Sequence, residues 1–508
     1  MNAAANAGGP VLNRGFITAS IMAAALMQTL DTTIANVALP HMQGSLSASQ
    51  DQIVWVLTFY IVAAAIMTPM TGWLSERFGR KTIFLFSVAG FSIASALCGA
   101  AQSLGEVVAF RFFQGIAGAA LMPLAQAVLL DINPPERYGQ AMATFASAVV
   151  LGPILGPTLG GWLTENYSWR WCFFINVPVG ILAFVGTWLF MPGKGQPHMV
   201  KFDFFGFGSL AVGVASLQLM LDRGAVNDWF GAPETWIEAT IAALGLYLFI
   251  VHTLTTRSPL FNRELFRDQN FRSTLIASVF IMGSMYASMA LVPTLLQNFY
   301  GYPVFSAGMI MMARGLGAFV SMVAAGRLVS RVDARVLMGI GILLIGASFY
   351  IMSQFAPVMG SGPFIISGVV QGLAMGLFFV PLSTIGFATL PGHLRVQGAT
   401  VSNLIRNVGG SVGISVLQVI LINNIQVAHA GLSQHLRADN PVVQQMMPHG
   451  PTAQGLQLMN GLISRQAALT AYIDDFWLMT IVMACMIPIL FLMRSPKIGG
   501  GAPPAVME

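Results

Sequence analysis

Charge is what this chain has least of. Only 8% of its 508 residues are Asp, Glu, Lys or Arg, against roughly a quarter in an ordinary soluble domain. The 24 basic and 19 acidic residues are too few to solvate the surface of a water-soluble protein of this length. Cysteine is scarce as well. Cys98, Cys172 and Cys485 each lie inside an apolar run, so there is neither an even set of loop thiols for a disulfide framework nor a CxxC pair for zinc. The seven histidines (41, 198, 252, 393, 429, 435 and 449) are scattered, which argues against an enzyme working at one bilayer face. No G-x-x-x-x-G-K-[ST] loop occurs, which argues against an ATP-driven pump, and no cofactor is expected. What the chain has is apolar surface: 56% hydrophobic residues, a mean hydropathy of +0.72, 35 Phe and 30 Met.

A hydrocarbon core about 30 Å thick is crossed by roughly 20 apolar helical residues. Such runs recur fourteen times, near 16–38, 53–74, 82–103, 107–130, 139–163, 172–191, 204–222, 236–255, 273–297, 304–326, 336–355, 363–388, 398–423 and 474–493. The first could serve as a signal-peptide core, but Asp31 inside it and the lack of a cleavage site favour a helix. An even count puts both termini on one side. With that side cytoplasmic, 17 of the 24 Lys and Arg residues fall in cytoplasmic segments, a strong positive-inside bias. The basic residues then face anionic lipid, and no nucleic-acid partner is needed.

The chain also repeats itself. Gln114-Gly115 and Pro123-Leu124 on the fourth span recur as Gln371-Gly372 and Pro381-Leu382 on the twelfth; Gly72-x-Leu74-x-x-Arg77 recurs as Gly326-x-Leu328-x-x-Arg331; Gln140 with Ala143-Thr144 recurs as Gln397 with Ala399-Thr400. Three pairs in order at nearly one offset predict two six-helix halves in the same orientation around a midplane site, with the seventh and eighth spans inserted between them. The expected organisation is a tail at 1–15, a first bundle at 16–191, a linker with two helices at 192–272, a second bundle at 273–494 containing a long loop at 424–473, and a tail at 495–508.

Several stretches resemble motifs of the major facilitator superfamily. Gly72-Trp-Leu-Ser-Glu76-Arg77-Phe-Gly79-Arg80-Lys81 is similar to its loop between helices two and three, and Arg111-Phe-Phe-Gln114-Gly115 to its fourth-helix motif. Gly152-Pro153-Ile-Leu-Gly156-Pro157-Thr-Leu-Gly160-Gly161 resembles the fifth-helix motif of antiporters, and Leu30-Asp31-Thr32-Thr33 through Pro40 the first-helix motif of the fourteen-helix drug/proton antiporter branch. Trp169-Arg170-Trp171, Asn176-Val177-Pro178 and Met220 through Gly224 also resemble that branch. The resemblance implies an all-α integral membrane protein of the major facilitator fold with fourteen helices as 6+2+6. It further implies proton-coupled efflux of lipophilic toxic compounds from the cytoplasm or inner leaflet of a bacterial inner membrane, together with a periplasmic adaptor and an outer-membrane channel. An exporter of one metabolite, siderophore or fatty acid is the alternative on the same scaffold. In the family the loop motif, here Gly72, Glu76, Arg77, Gly79 and Arg80, acts as a cytoplasmic latch. It usually carries Asp where this chain has Glu76, so the latch geometry must differ here.

Ionisable groups inside the hydrocarbon cost at least about 2.5–3.5 kcal/mol each on insertion scales, and so mark function. Asp31 and Arg111 fall at compatible depths for pairing. A pair that separates or rehydrates as the protein changes conformation could carry a proton, with Gln114 tuning it; a static ion pair is the other reading. Gln28, Asp31, Thr32 and Asn36 recur at helical spacing as one polar stripe facing a central cavity, to which Tyr286 and Arg406 are further candidates. Arg406 could attract anionic substrates or pair with backbone carbonyls, and Arg314 reads as a packing residue. Glycine at 152, 156 and 160 with Pro153 and Pro157 suits a hinge or seal between the halves, or a tight packing face. The many Met and Phe side chains make adaptable apolar surface. The loop 424–473 could dock the adaptor or cap the cavity.

Overall fold

Inside lipid a chain must satisfy its own backbone N–H and C=O groups, and helices do so within one segment. The computed structural model describes residues 13–193, 201–224, 229–434 and 453–493, and no strand occurs among them. Fourteen long helices run through the molecule: α1 Arg14–Ser45, α2 Trp55–Phe78, α3 Arg80–Ala100, α4 Leu104–Ile132, α5 Tyr138–Asn166, α6 Trp171–Phe190, α7 Phe204–Arg223, α8 Pro233–Thr255, α9 Gln269–Phe299, α10 Val304–Leu328, α11 Ala334–Met352, α12 Gly362–Ala388, α13 Arg395–Ser433 and α14 Ala453–Met486. Thirteen of these are long and apolar enough to cross a membrane. The remaining one is α1, 32 residues long, whose hydropathy is diluted by Gln28, Asp31, Asn36 and four threonines.

The two halves pack by one pattern. α1 lies on α5 as α9 lies on α13; α2 and α3 lie on α4 as α10 and α11 lie on α12; α3 meets α6 as α11 meets α14. The repeat extends to single residues. A Cβ on Gly72 would meet Gln397, and one on Gly326 would meet Gln140 and Ala143, the same partners exchanged between halves. The halves meet along α5–α10 and α5–α12, and α13 crosses to α4 and to the Thr68–Phe78 part of α2. The inserted α7 and α8 pack on each other, and α7 sits against both α2 and α13, where the Ser415 hydroxyl donates to the Leu221 carbonyl at 3.1 Å.

The segment 424–473 departs from the expected loop. α13 continues to Ser433 and α14 begins at Ala453, so both ends of it are helical, and residues 435–452 lie outside the described residues. At 39 residues, α13 is about 58 Å long, nearly twice the hydrocarbon thickness. Hydropathy reports where a helix leaves lipid rather than where it stops. Outside the apolar zone α13 and α14 support one another, with His429 and Asn460 hydrogen-bonded at 2.9 Å. The end of the bundle where α1 starts is called the terminal end below, and the opposite one the distal end. The N-terminal tail before residue 13, residues 194–200 and residues 494–508 also lie outside the described residues.

Candidate functional site: a buried ion pair beside a central cavity

α1 and α4 bring Asp31 and Arg111 together. Both side chains are fully buried, and Arg111 Nη1 donates to Asp31 Oδ2 at 2.6 Å. Gln114, one turn along α4, donates from Nε2 to Asp31 Oδ1 at 2.9 Å and accepts from Arg111 Nη1 at 2.8 Å. Arg111 Nε donates to the Val56 carbonyl at 3.1 Å. Two members of this network escaped the sequence reading. Asn176 Nδ2 donates to Asp31 Oδ1 at 2.7 Å and to Ser95 Oγ at 2.9 Å, and Ser95 donates to the Phe173 carbonyl at 2.9 Å. Asn176 stood in a quoted motif as a polar residue entering an apolar helix, a usable signal; Ser95 gave none.

Asp31 therefore accepts from three side-chain donors. A proton on either oxygen would place a donor against donors already in position and would cancel the ion pair. Protonation and rearrangement of the network are thus one event. Arg111 Nη2 is buried with no hydrogen-bond partner, and its guanidinium lies 4.4 Å from the centre of the Tyr60 ring.

Tyr60 is also a wall of a central cavity of about 380 Å³ between the halves. Gln28, Thr32, Tyr286 and Arg406 line it, with Met122, Met282, Met322 and Met375 among the apolar walls. Asp31 and Asn36 do not line it, which corrects the single-stripe expectation. At about 100° per residue, Asp31 stands about 60° to one side of Gln28 while Thr32 and Asn36 stand about 40° and 80° to the other. The stripe is therefore split. Asp31 turns into the first bundle, Gln28 and Thr32 face the cavity, and Asn36 is exposed. Gln218 of the inserted α7 reaches the cavity too, a contribution the repeat did not signal.

Arg406 is the one charged side chain among the described residues lining the cavity. Only 8% exposed, it donates to Asn403 Oδ1 at 2.5 Å and stands 5.2 Å from the centre of the Phe379 ring. Among the described residues it has no carboxylate partner. Arg314 is also buried, with its backbone against Gly368 and Gly372 of α12.

The glycine motif packs inside the first half rather than between the halves. Gly152, Gly156 and Gly160 face Thr29, Thr33 and Ile34 of α1, and the Thr33 hydroxyl donates to the Gly152 carbonyl at 3.1 Å. Gly161 has open space where a side chain would go. Contact with the second half comes from Ile154 against Gly315 of α10. Pro153 and Pro157 remove two amide donors from α5, which leaves carbonyls one turn earlier without their usual partners. A Cβ at Gly152 would stand 2.7 Å from the Thr29 backbone carbon, a contact no rotamer can relieve. Gly152→Ala is expected to lower stability by about 1–3 kcal/mol through overpacking, read as a lower thermal midpoint of the detergent-solubilised protein.

At the terminal end the halves are tied by polar contacts. Gln397 Nε2 at the start of α13 donates to Glu76 Oε1 at 3.0 Å. Arg80 is the partner of Asp131 rather than of Glu76, and Arg395 of the second half shares that carboxylate at 3.1 Å. The extra methylene of Glu76 spans to a helix start that lies close because residue 72 is glycine. Gly79 holds φ +85° between α2 and α3, where a side chain would be strained. Arg77 lies over the Trp73 and Phe78 rings and takes no part in the tie. Asp131, Arg395 and Gln397 were not identified as site residues, although Gln397 stood in the repeat. In the second half Val329-Ser330 supplies no acid, and Gln140 makes no side-chain hydrogen bond among the described residues. Asp131→Asn leaves Arg80 and Arg395 facing one another. Spin labels at Phe78 and His393, both exposed, should then report a longer distance, with Cys485, the exposed native thiol, replaced beforehand.

Comparison with known proteins agrees with this architecture. The sequence profile of the Major Facilitator Superfamily matches residues 21–414. The chain is 35% identical to the Multidrug export protein EmrB of Haemophilus influenzae, covering 94% of this chain and 96% of the relative, and 33% identical to that of Escherichia coli K12, covering 96% of each. It is 34% identical to the Fatty acid resistance protein FarB of Neisseria gonorrhoeae, covering 96% and 97%. Among solved structures it is similar in fold to the human organic anion transporter MFSD10, with a TM-score of 0.61 and 14% identity over 92% of this chain and 99% of that one. The proton:xylose symporter XylE gives 0.57 and 13% over 93% and 96%. Family profile, near full-length relatives and the duplicated six-helix halves agree: the chain belongs to the major facilitator superfamily.

Proposed function

We propose that the chain is a proton-coupled exporter of lipophilic organic compounds that works by alternating access between its two six-helix bundles, and that it handles anions and weak acids in preference to cations. Proton coupling rests on the Asp31–Arg111 pair, which a wall one tyrosine thick separates from the cavity. Asp31 takes up a proton when the network opens toward the distal end and gives it up at the terminal end, with Arg111 and Gln114 re-forming the bonds that the proton broke. One charge moving across about 150 mV supplies roughly 3.5 kcal/mol, enough for a gradient of a few hundredfold. The anion preference rests on Arg406, a lone cation in a cavity whose described lining holds no acid.

The positive-inside bias supports a bacterial inner membrane with both termini cytoplasmic. On that reading the terminal-end ties close the cytoplasmic side. The names of the relatives, multidrug export and fatty acid resistance, support efflux of several compounds and of fatty acids respectively. The α13–α14 hairpin, with Val427, Leu456 and Leu458 more than half exposed, is the surface we assign to a periplasmic adaptor that leads to an outer-membrane channel. In proteoliposomes loaded with a dansyl-labelled alkyl sulfonate, which stays ionised and does not follow a pH gradient across bare lipid, an imposed pH gradient should drive probe movement against its gradient. Competition by chemically unrelated lipophilic acids distinguishes broad export from export of one metabolite. No effect of the pH gradient contradicts the proposal.

A further inference from the structure

Two carboxyls are buried among the described residues, Asp31 at 1% and Asp475 at 0% exposure. Their surroundings are opposite. Asp31 accepts from three side chains, one of them an arginine. Asp475 on α14 has both oxygens buried with no hydrogen-bond partner among the described residues, and its chain neighbour Phe476 packs edge-on against Phe355, just beyond the end of α11.

The internal repeat shows that Asp475 is not a copy of Asp31. Gln114 bonds Asp31 in the first half, and its counterpart Gln371 donates instead to Ser288 at 3.1 Å. The position matching Arg111 is Gly368. The second half has thus lost the ion pair and keeps a single buried carboxyl elsewhere. The Asp31 network reaches Ser95, 15 residues from the start of α3, and Trp477, two residues from Asp475, meets Tyr350, 16 residues from the start of the matching α11. The two stand at similar heights, one in each half.

An ionised carboxylate with neither cation nor donor costs several kcal/mol to bury, whereas a neutral acid costs far less. The titratable groups near Asp475 on its own helix are Tyr472 and Asp474. From the packed elements, Tyr350 of α11 stacks on Trp477, while Tyr286 of α9 and Arg406 of α13 line the cavity; none is bonded to Asp475. Nothing here compensates a negative charge.

We infer that Asp475 is a second proton-binding site, a carboxylic acid held neutral in this conformation that releases its proton when α13 and α14 shift and water reaches it. The inference rests on the transport reading above. In this conformation Asp31 is ionised and Asp475 protonated; once the Asp31 network opens and takes up its own proton both acids are loaded, and one cycle then moves two protons.

The test uses the purified full-length chain. Infrared difference spectra of wild type minus Asp475→Asn in neutral buffer should show a protonated carboxyl band that the variant lacks. Proton release on binding dansyl-undecanoate, measured in weak buffer, should fall by about half in Asp475→Asn. A missing band overturns the inference, and so does a band present with an unchanged proton count, because the acid then never titrates. Should Asp475→Asn not fold, Asp475→Glu must shift the band, and a band that does not move is equally contrary. If wild type releases no proton at all, the coupling reading itself fails; if Asp31→Asn alone loses protons, only the role of Asp475 does.

Discussion

Asp31→Asn is expected to reduce proton-driven accumulation of substrate by at least about 100-fold while exchange of substrate down its own gradient continues. The asparagine keeps the shape but not the charge. Its amide oxygen can still accept from Gln114 and Asn176, which share one carboxylate oxygen at 2.9 and 2.7 Å, but its NH2 would then face the Arg111 donor at the other, and Arg111 would be left with no anion. Breaking a buried pair by removing one partner costs about 3–5 kcal/mol, so a lower thermal midpoint should accompany the uncoupling. Exchange assays on folded, reconstituted protein separate the two effects: a variant that is merely destabilised loses exchange and accumulation together, whereas loss of the carrier removes accumulation alone.

Arg406→Gln should raise the KM for a carboxylate probe by about 10- to 150-fold, the equivalent of a charge-assisted hydrogen bond worth about 1.5–3 kcal/mol. The physical basis is the solitude of this cation. Asn403 and the Phe379 ring position the guanidinium without neutralising it, so an anion entering the cavity meets a charge that no carboxylate of the described lining has taken. The methyl ester of the same probe has the same apolar body and no charge, and its KM should change little. Equal losses for acid and ester would mean that Arg406 only shapes the cavity.

Much of this was legible before the structure. Fourteen apolar runs and one repeated offset were enough for the 6+2+6 arrangement, because both follow from lipid thickness and from duplication. Asp31, Arg111 and Gln114 stood out because ionisable and amide groups are costly in apolar helices. The arrangement around them was harder to read. A stripe at helical spacing fixes a face only to within the width of a helix, and Asp31 and Asn36, about 140° apart, fall on different surfaces. Gly152 and Gly156 announced close packing but not its partner, which is α1. The tie of Glu76 to Gln397 joins positions 321 residues apart, and no local pattern encodes it. Asp475 falls at the edge of the last apolar run and gave no signal; only packing shows that it is buried with no hydrogen-bond partner among the described residues.

The central claim is that Asp31 carries the transported proton. Proteoliposomes with a pH dye inside and a dansyl-labelled alkyl sulfonate added, an anion that unlike a fatty acid carries no proton through the bilayer by itself, report both movements at once. In wild type, substrate movement in one direction should be matched by proton movement in the other, and Asp31→Asn protein of equal exchange activity should move substrate with no change in internal pH. Proton movement coupled to substrate that persists in Asp31→Asn would contradict the account.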